Sequence, residues 1–228
     1  MEFLNNLLFG YYPYIAGTVF LAGSLVRFDM SQYTWKTNSS QIMDSGPLFR
    51  LGNNLFHIGI IFLFFGHLIG LLMPHAWYPY LGLTVTGKQL LAMISGGLFG
   101  LMALIGGAIL LYRRFTNRRV RAQSSQMDIP ILVILYLQLL IGLLTIAFSA
   151  QHLDGSEMIQ LSNWAQRIVT FRPDAALQIA DVSWVFKLHL FLGLTIFLLF
   201  PFTRLVHIWS VPFAYIWRNY QIVRQRQS

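Results

Sequence analysis

LFHIGIIFLFFGHLIGLLM, residues 55–73, is an apolar run without a single formal charge, and it carries two histidines, His57 and His67, ten positions apart. A hydrocarbon core about 30 Å thick is crossed by roughly 20 helical residues. The run therefore has the length of one transmembrane helix. A histidine inside that layer is costly unless something binds it, so two in one span mark a functional site. Gly59, Gly66 and Gly70 punctuate the same stretch. Small residues there admit either a neighbouring helix or a flat macrocycle.

Outward from this run, four further stretches have the same character, at about 4–26, 90–111, 129–148 and 184–208. With 56% hydrophobic and 11% charged residues over 228 positions, the chain is too apolar for a soluble domain. The spacing predicts an all-α integral membrane protein of five transmembrane helices, a single domain over 1–228 with no room for a soluble one. The opening MEFLNNLLFG has an acid in place of a basic flank and lacks a small-residue cleavage site, so it reads as the start of a retained first span.

The net charge of +8 is not the footprint of a nucleic-acid binder, because its placement follows the membrane. With the N-terminus outside, Arg27, Lys36, Arg50, Arg113, Arg114, Arg118, Arg119, Arg121, Arg204, Arg218, Arg224 and Arg226 all fall inside. Only Lys88, Arg167, Arg172 and Lys187 fall outside, which is the positive-inside pattern and predicts an N-out, C-in topology. Cysteine is absent, which excludes disulfides, cysteine-ligated iron–sulfur clusters and covalently attached c-type haem. A cofactor would be held by side chains such as histidine.

Tyr12–Pro13 sits near the outer end of span one, where a proline is tolerated. The polar inner loop over 29–50 reads equally as an interface or a connector. Pro74 and His75 end span two, with Trp77, Tyr78 and Tyr80 at interface depth. Span three carries small-residue segments at Ser95–Gly100 and Ile105–Gly107, then an arginine-rich inner anchor beginning at Arg113 and Arg114. Span four has Gln138 as its main polar interruption and reads as a packing helix. In the outer segment after it, Asp154 and Glu157 resemble a capping box. Met158, Leu161, Trp164, Ala165 and Ile168 then recur at helical spacing, predicting a short helix flat on the outer surface. Span five brings His189 near its outer end and His207 near its inner end, with Pro201 a bend between them.

Spans two and five run antiparallel, so His57 and His207 share the inner level while His67 and His189 share the outer one. An imidazole from each of two helices can ligate a haem iron from both sides. Full axial occupancy suits electron transfer better than chemistry at iron. Ten residues give about 15 Å of rise and eighteen about 27 Å, so tilt and the Pro201 bend must absorb the difference. His189 and His207, five turns apart, share a face, whereas His57 and His67 are rotated by roughly 80°. Two ligands per level fall short of a zinc site. Interhelical hydrogen bonding is the alternative use of such histidines, and a histidine-relay proton transporter or a purely structural anchor are the competing classes. The absence of a mid-membrane carboxylate weakens the relay. His75 and His152 fall in outer loops and read as interfacial.

FHIGIIFLFFGH, the outer SAQHLDGSEM, LFPFTRLVHIWSVP, YPYIAG (Tyr12–Gly17) and QYTW (Gln32–Trp35) together resemble the cytochrome b (gamma) subunit of membrane-bound respiratory nitrate reductase, over essentially the whole chain. The resemblance implies five helices in a bacterial inner membrane, two b haems and quinol oxidation near the outer face. It also implies an iron–sulfur (beta) subunit and a molybdenum-containing (alpha) subunit docked on the cytoplasmic side. By position, His57 and His207 match the inner haem ligands and His67 and His189 the outer ones. Lys88 is the candidate quinol contact, with snorkelling its plain alternative. Arg113 and Arg114 are candidate partners for acidic haem substituents. Histidine spacing alone leaves the cytochrome b subunit of a formate dehydrogenase or hydrogenase open as an alternative.

Overall fold

In the computed structural model, which describes residues 2–36, 46–151, 153–210 and 217, the chain is helical, with no strand among the described residues. Residues 37–45 of the polar loop, His152 and the basic tail apart from residue 217 lie outside the described residues. The helices are α1 (Glu2–Asn6), α2 (Tyr12–Met30), α3 (Pro47–Leu72), α4 (Val85–Thr116), α5 (Arg118–Ala122), α6 (Asp128–Ser149), α7 (Ser156–Val169) and α8 (Trp184–Leu199). A single π-helical turn, Leu7–Tyr11, joins α1 to α2. Among the described residues, four segments are long and apolar enough to cross a membrane: α3, α4, α6 and Trp184–Phe202. The first expected span is helical from Glu2 to Met30, but it is broken by the π turn and is not among those four.

The helices pack as an open arc. α3 lies against α4, α4 against α6, α6 against α8 and α8 against α2. The two histidine-bearing helices, α3 and α8, are not neighbours in this sequence of contacts. The α3–α4 crossing is the closest, because glycines remove side chains from both surfaces. A Cβ added at Gly59 would stand 2.6 Å from the Phe99 carbonyl oxygen, and one at Gly106 would stand 2.4 Å from the Phe56 nitrogen. No larger residue fits at either position without separating the helices.

Two breaks in helical hydrogen bonding are repaired by distant side chains. Pro13 has no N–H to give the carbonyl four residues back, at Phe9. The Trp164 indole N–H of α7 donates to that oxygen instead, at 2.9 Å, within a buried cluster that includes Phe9, Ala176 and Val185. At the other end, α8 stops at Leu199, ahead of Pro201. The chain continues as 3₁₀ turns, Phe200–Phe202 and Arg204–Ser210, with an extended Thr203 between them. The freed carbonyls of Pro201 and Thr203 each accept from Arg27 Nη1 at 2.7 Å. The Pro201 bend is therefore a change of helix type, and His207 stands on the 3₁₀ segment, off the α-helix that carries His189. The single-face relation expected for an uninterrupted helix does not apply.

α7 is the expected amphipathic helix, but its start differs from a capping box. Asp154 Oδ1 accepts from the Ser156 N–H at 3.2 Å, while Glu157 turns away to accept from Ser183 N–H and hydroxyl at the start of α8. The acid placed to cap its own helix instead ties α7 to the next one.

Candidate functional site

Each outer-level histidine comes from a different helix, and the bundle brings them together. The His67 and His189 ring centroids are 5.9 Å apart, with planes inclined by 36°. At the inner level, His207 lies within electrostatic range of His57. The helix type changes after Leu199, between His189 and His207.

Three of the four imidazoles are tied the same way. Nδ1 of His57 bonds the Asn53 carbonyl at 2.8 Å, Nδ1 of His67 bonds the Leu63 carbonyl at 2.7 Å, and Nδ1 of His207 bonds the Arg204 carbonyl at 2.5 Å. A carbonyl can only accept, so Nδ1 carries the hydrogen and Nε2 is left with its lone pair. That tautomer, with the remote nitrogen anchored to backbone, is the one a metal-binding histidine uses.

His189 is held differently. The Gln138 amide nitrogen donates to its carbonyl at 3.1 Å and lies 3.4 Å from its Nε2, while Nδ1 is buried without a partner. Gly142 gives the ring its room, since a Cβ there would approach His189 Cε1 to 2.9 Å. Gln138, expected only to pack, is thus a direct neighbour of the outer pair. A lone glutamine in an apolar span carries no signal of which histidine it meets.

These residues fit a haem. A metal–imidazole bond of about 2 Å on both sides of one ion sets two ring centroids roughly 6 Å apart, the separation seen at the outer level. Gly66 and Gly70 on α3 have open space where a Cβ would stand, so on that side the outer half of the helix presents a strip that no side chain among the described residues fills. His57 and His67 are exposed on an apolar helix, which is the costly arrangement a bound group relieves. No group of three or more histidines or carboxylates able to hold a bare metal ion occurs among the described residues. The pairs are the available ligand sets.

Lys88 lies on the first turns of α4 and does not snorkel. It is only 6% exposed, and its ammonium donates to the Gly70 carbonyl at 2.8 Å and to the Tyr78 hydroxyl. No carboxylate pairs with it among the described residues. Burying a cation against neutral acceptors alone is unfavourable.

At the inner end, Arg113 packs its guanidinium 4.1 Å from the centre of the Phe49 ring. Arg114 donates to Ser124 at 2.5 Å and lies 3.5 Å from Asp128 Oδ2, and Arg204 approaches the same oxygen at 3.8 Å. Asp128 is 1% exposed. It joins α4, α6 and the segment after α8 through one carboxylate. Asp128 immediately precedes the apolar run of span four, and nothing in its sequence position distinguished it from an ordinary helix-start acid.

His75 and Tyr78 belong to the loop between α3 and α4. His75 Nε2 bonds the Asn163 side-chain oxygen of α7 at 3.0 Å.

Residues 5–226 match the family described as nitrate reductase gamma subunit. Over 227 residues, the whole of both chains, the protein is 56% identical to the respiratory nitrate reductase 2 gamma chain of Escherichia coli K12. It is 53% identical to the respiratory nitrate reductase 1 gamma chain of the same strain, over 99% of this chain and all of that one. It is also 35% identical to the nitrate reductase gamma chain of Bacillus subtilis 168, over 97% of this chain and 99% of that one. Full-length agreement at this level, on a helical frame that brings His67 of α3 beside His189 of α8, leads to one conclusion: the chain belongs to the nitrate reductase gamma subunit family, and is a membrane subunit of a multi-subunit oxidoreductase.

Proposed function

We propose that this subunit oxidises a membrane quinol beside the outer histidine pair and passes the electrons inward through two b haems to a cytoplasmic iron–sulfur subunit. That subunit in turn feeds a molybdenum-containing subunit on which nitrate is reduced. The protein would sit in the bacterial inner membrane with five spans, N-terminus outside and C-terminus inside, as the distribution of arginines and lysines favours. The observation that carries the reading is the His67–His189 approach at 5.9 Å beside a buried lysine that has no carboxylate partner among the described residues.

A haem b held by two imidazoles would supply reversible one-electron transfer. His67 and His189 would hold the outer haem, and His57 and His207 the inner one. The backbone bonds at Nδ1 of His57, His67 and His207 fix ring orientation before any ligand arrives, so little ordering remains to be done on binding. Arg113 and Arg114 are the partners proposed for acidic substituents at the inner level. Lys88 hydrogen-bonds a quinol oxygen, stabilising the negative charge that develops there as the proton leaves. Protons released outside while electrons move inward transfer charge across the membrane field, worth about 2.3 kcal/mol per charge per 100 mV. The subunit thereby contributes to the proton-motive force.

The visible spectrum of the purified assembly tests the reading. Two b-type haems per copy of this chain are expected, and a protein without haem would overturn it. Lys88→Ala should keep both haems and lose most quinol oxidation. An unchanged rate would remove Lys88 from the site.

A further inference from the structure

We propose that Tyr78 and His75 form the outlet by which quinol protons leave Lys88, through the cavity that both residues line. The proposal rests on the reading of Lys88 as the quinol contact. Tyr78 is 3% exposed, and its hydroxyl oxygen accepts from the Lys88 ammonium. An oxygen occupied in this way directs its own hydrogen elsewhere. The His75 ring stands edge-on to the Tyr78 ring, with centroids 5.2 Å apart and planes at 81°. Because Asn163 Oδ1 can only accept, His75 Nε2 carries the hydrogen and Nδ1 is the basic atom. Imidazole is the side chain best suited to taking up and releasing a proton near neutrality.

Both residues face one cavity of about 500 Å³, lined also by Thr84, Val85 and Ile159. At about 30 Å³ per water molecule this space holds a short chain of waters. Buried lysine, buried phenol, imidazole and cavity follow one another in that order, and only the last two reach solvent. Tying a loop to α7 would need the His75–Asn163 bond alone. It would need neither the Lys88–Tyr78 contact nor a cavity joining Tyr78 to His75.

Oxidation of one quinol breaks two O–H bonds and yields a quinone, two protons and two electrons. The electrons leave singly toward the partner's iron–sulfur centre by way of the two histidine pairs. For each proton, Lys88 gives a hydrogen to the Tyr78 oxygen and is refilled from the quinol hydroxyl. Tyr78 releases its own hydrogen to the cavity, where His75 Nδ1 accepts it and passes it out. Lys88, Tyr78 and His75 end each turnover unchanged.

The test uses membranes containing the assembled complex and a soluble quinol. Tyr78→Phe keeps the ring and removes the relay atom, and His75→Gln keeps a partner for Asn163 but cannot shuttle a proton. Each should lower kcat for quinol oxidation by roughly tenfold or more, with KM and haem content unchanged and a larger solvent deuterium effect. His75→Gly should regain rate when imidazole is added, since the cavity admits it. A normal kcat in Tyr78→Phe overturns the outlet. So does a loss expressed only in KM without imidazole rescue, which would make the pair a support for Lys88. Lys88→Ala separates the two readings: a normal rate there overturns the quinol site itself, whereas a slow Lys88→Ala beside a normal Tyr78→Phe overturns the outlet alone.

Discussion

The two halves of α3 use the same residue types for opposite purposes. Around the inner half, Gly59 of α3 and Gly106 of α4 bring the two helices together so closely that no Cβ can be added at either. Around the outer half, a Cβ added at Gly66 or Gly70 would meet nothing within 4 Å, and the His67 ring stands beside that of His189. A glycine in a membrane helix is thus informative only once its neighbour is known: one pair makes a helix contact, the other keeps a face open. The polar contacts differ as well. At the inner level His207 is bonded to the Arg204 backbone, whereas at the outer level the Lys88 ammonium bonds the carbonyl of Gly70, three residues beyond His67.

The most severe way to break this contrast is to remove one ligand from each level. His57→Ala should lose the inner haem and His189→Ala the outer one, each leaving about half of the haem absorbance and abolishing quinol-driven turnover. Loss of both haems from either variant, read in the low-temperature spectrum, would mean that the two levels fold as one. Next in size is Asp128→Ala, which leaves the buried Arg114 and the half-buried Arg204 without their shared carboxylate. A cost of about 3–5 kcal/mol is expected, seen as a lower melting temperature in detergent and as inner-level haem loss before outer. Replacing glycines tests the two halves directly. Gly59→Leu should prevent α3 from seating on α4 and give little membrane-inserted protein, whereas Gly66→Leu should insert normally and disturb only the outer haem. Equal yields of the two would refute the assignment of the halves. The smallest effect belongs to Gln138→Ala, which removes a hydrogen bond to the His189 carbonyl and should cost about 1 kcal/mol. It should shift the outer haem signal and leave the inner one alone.

Much of this arrangement is legible in the bare sequence. Apolar runs of membrane-spanning length, antiparallel order and four histidines at two depths follow from spacing alone. The structure agrees closely for 129–148 against Asp128–Ser149, and starts α3 and α4 earlier than the apolar run suggests. These starts were hidden because hydrophobicity reports the hydrocarbon layer, and a helix continues past it wherever its backbone bonds and caps allow. Thr84, whose hydroxyl accepts from the Gly87 N–H, is such a cap. The partners of Asp128, Gln138 and Lys88 were not legible either. They lie on other segments of the fold, and the rotation of a helix about its own axis leaves only a faint mark in a span apolar on every side. The break beyond Leu199 was visible as Pro201, but its form as 3₁₀ turns depends on Arg27, far away in the chain.

That dependence bears on how the protein is made. The first helix emerges with a carbonyl at Phe9 whose donor, Trp164, lies 155 residues later, and with an arginine whose acceptors lie 174 and 176 residues later. During synthesis the earliest helix is therefore incomplete until nearly the last has been delivered. Its final seating completes the arc at the contact between α2 and α8, so a chain halted before Thr203 would leave its beginning as unfinished as its end.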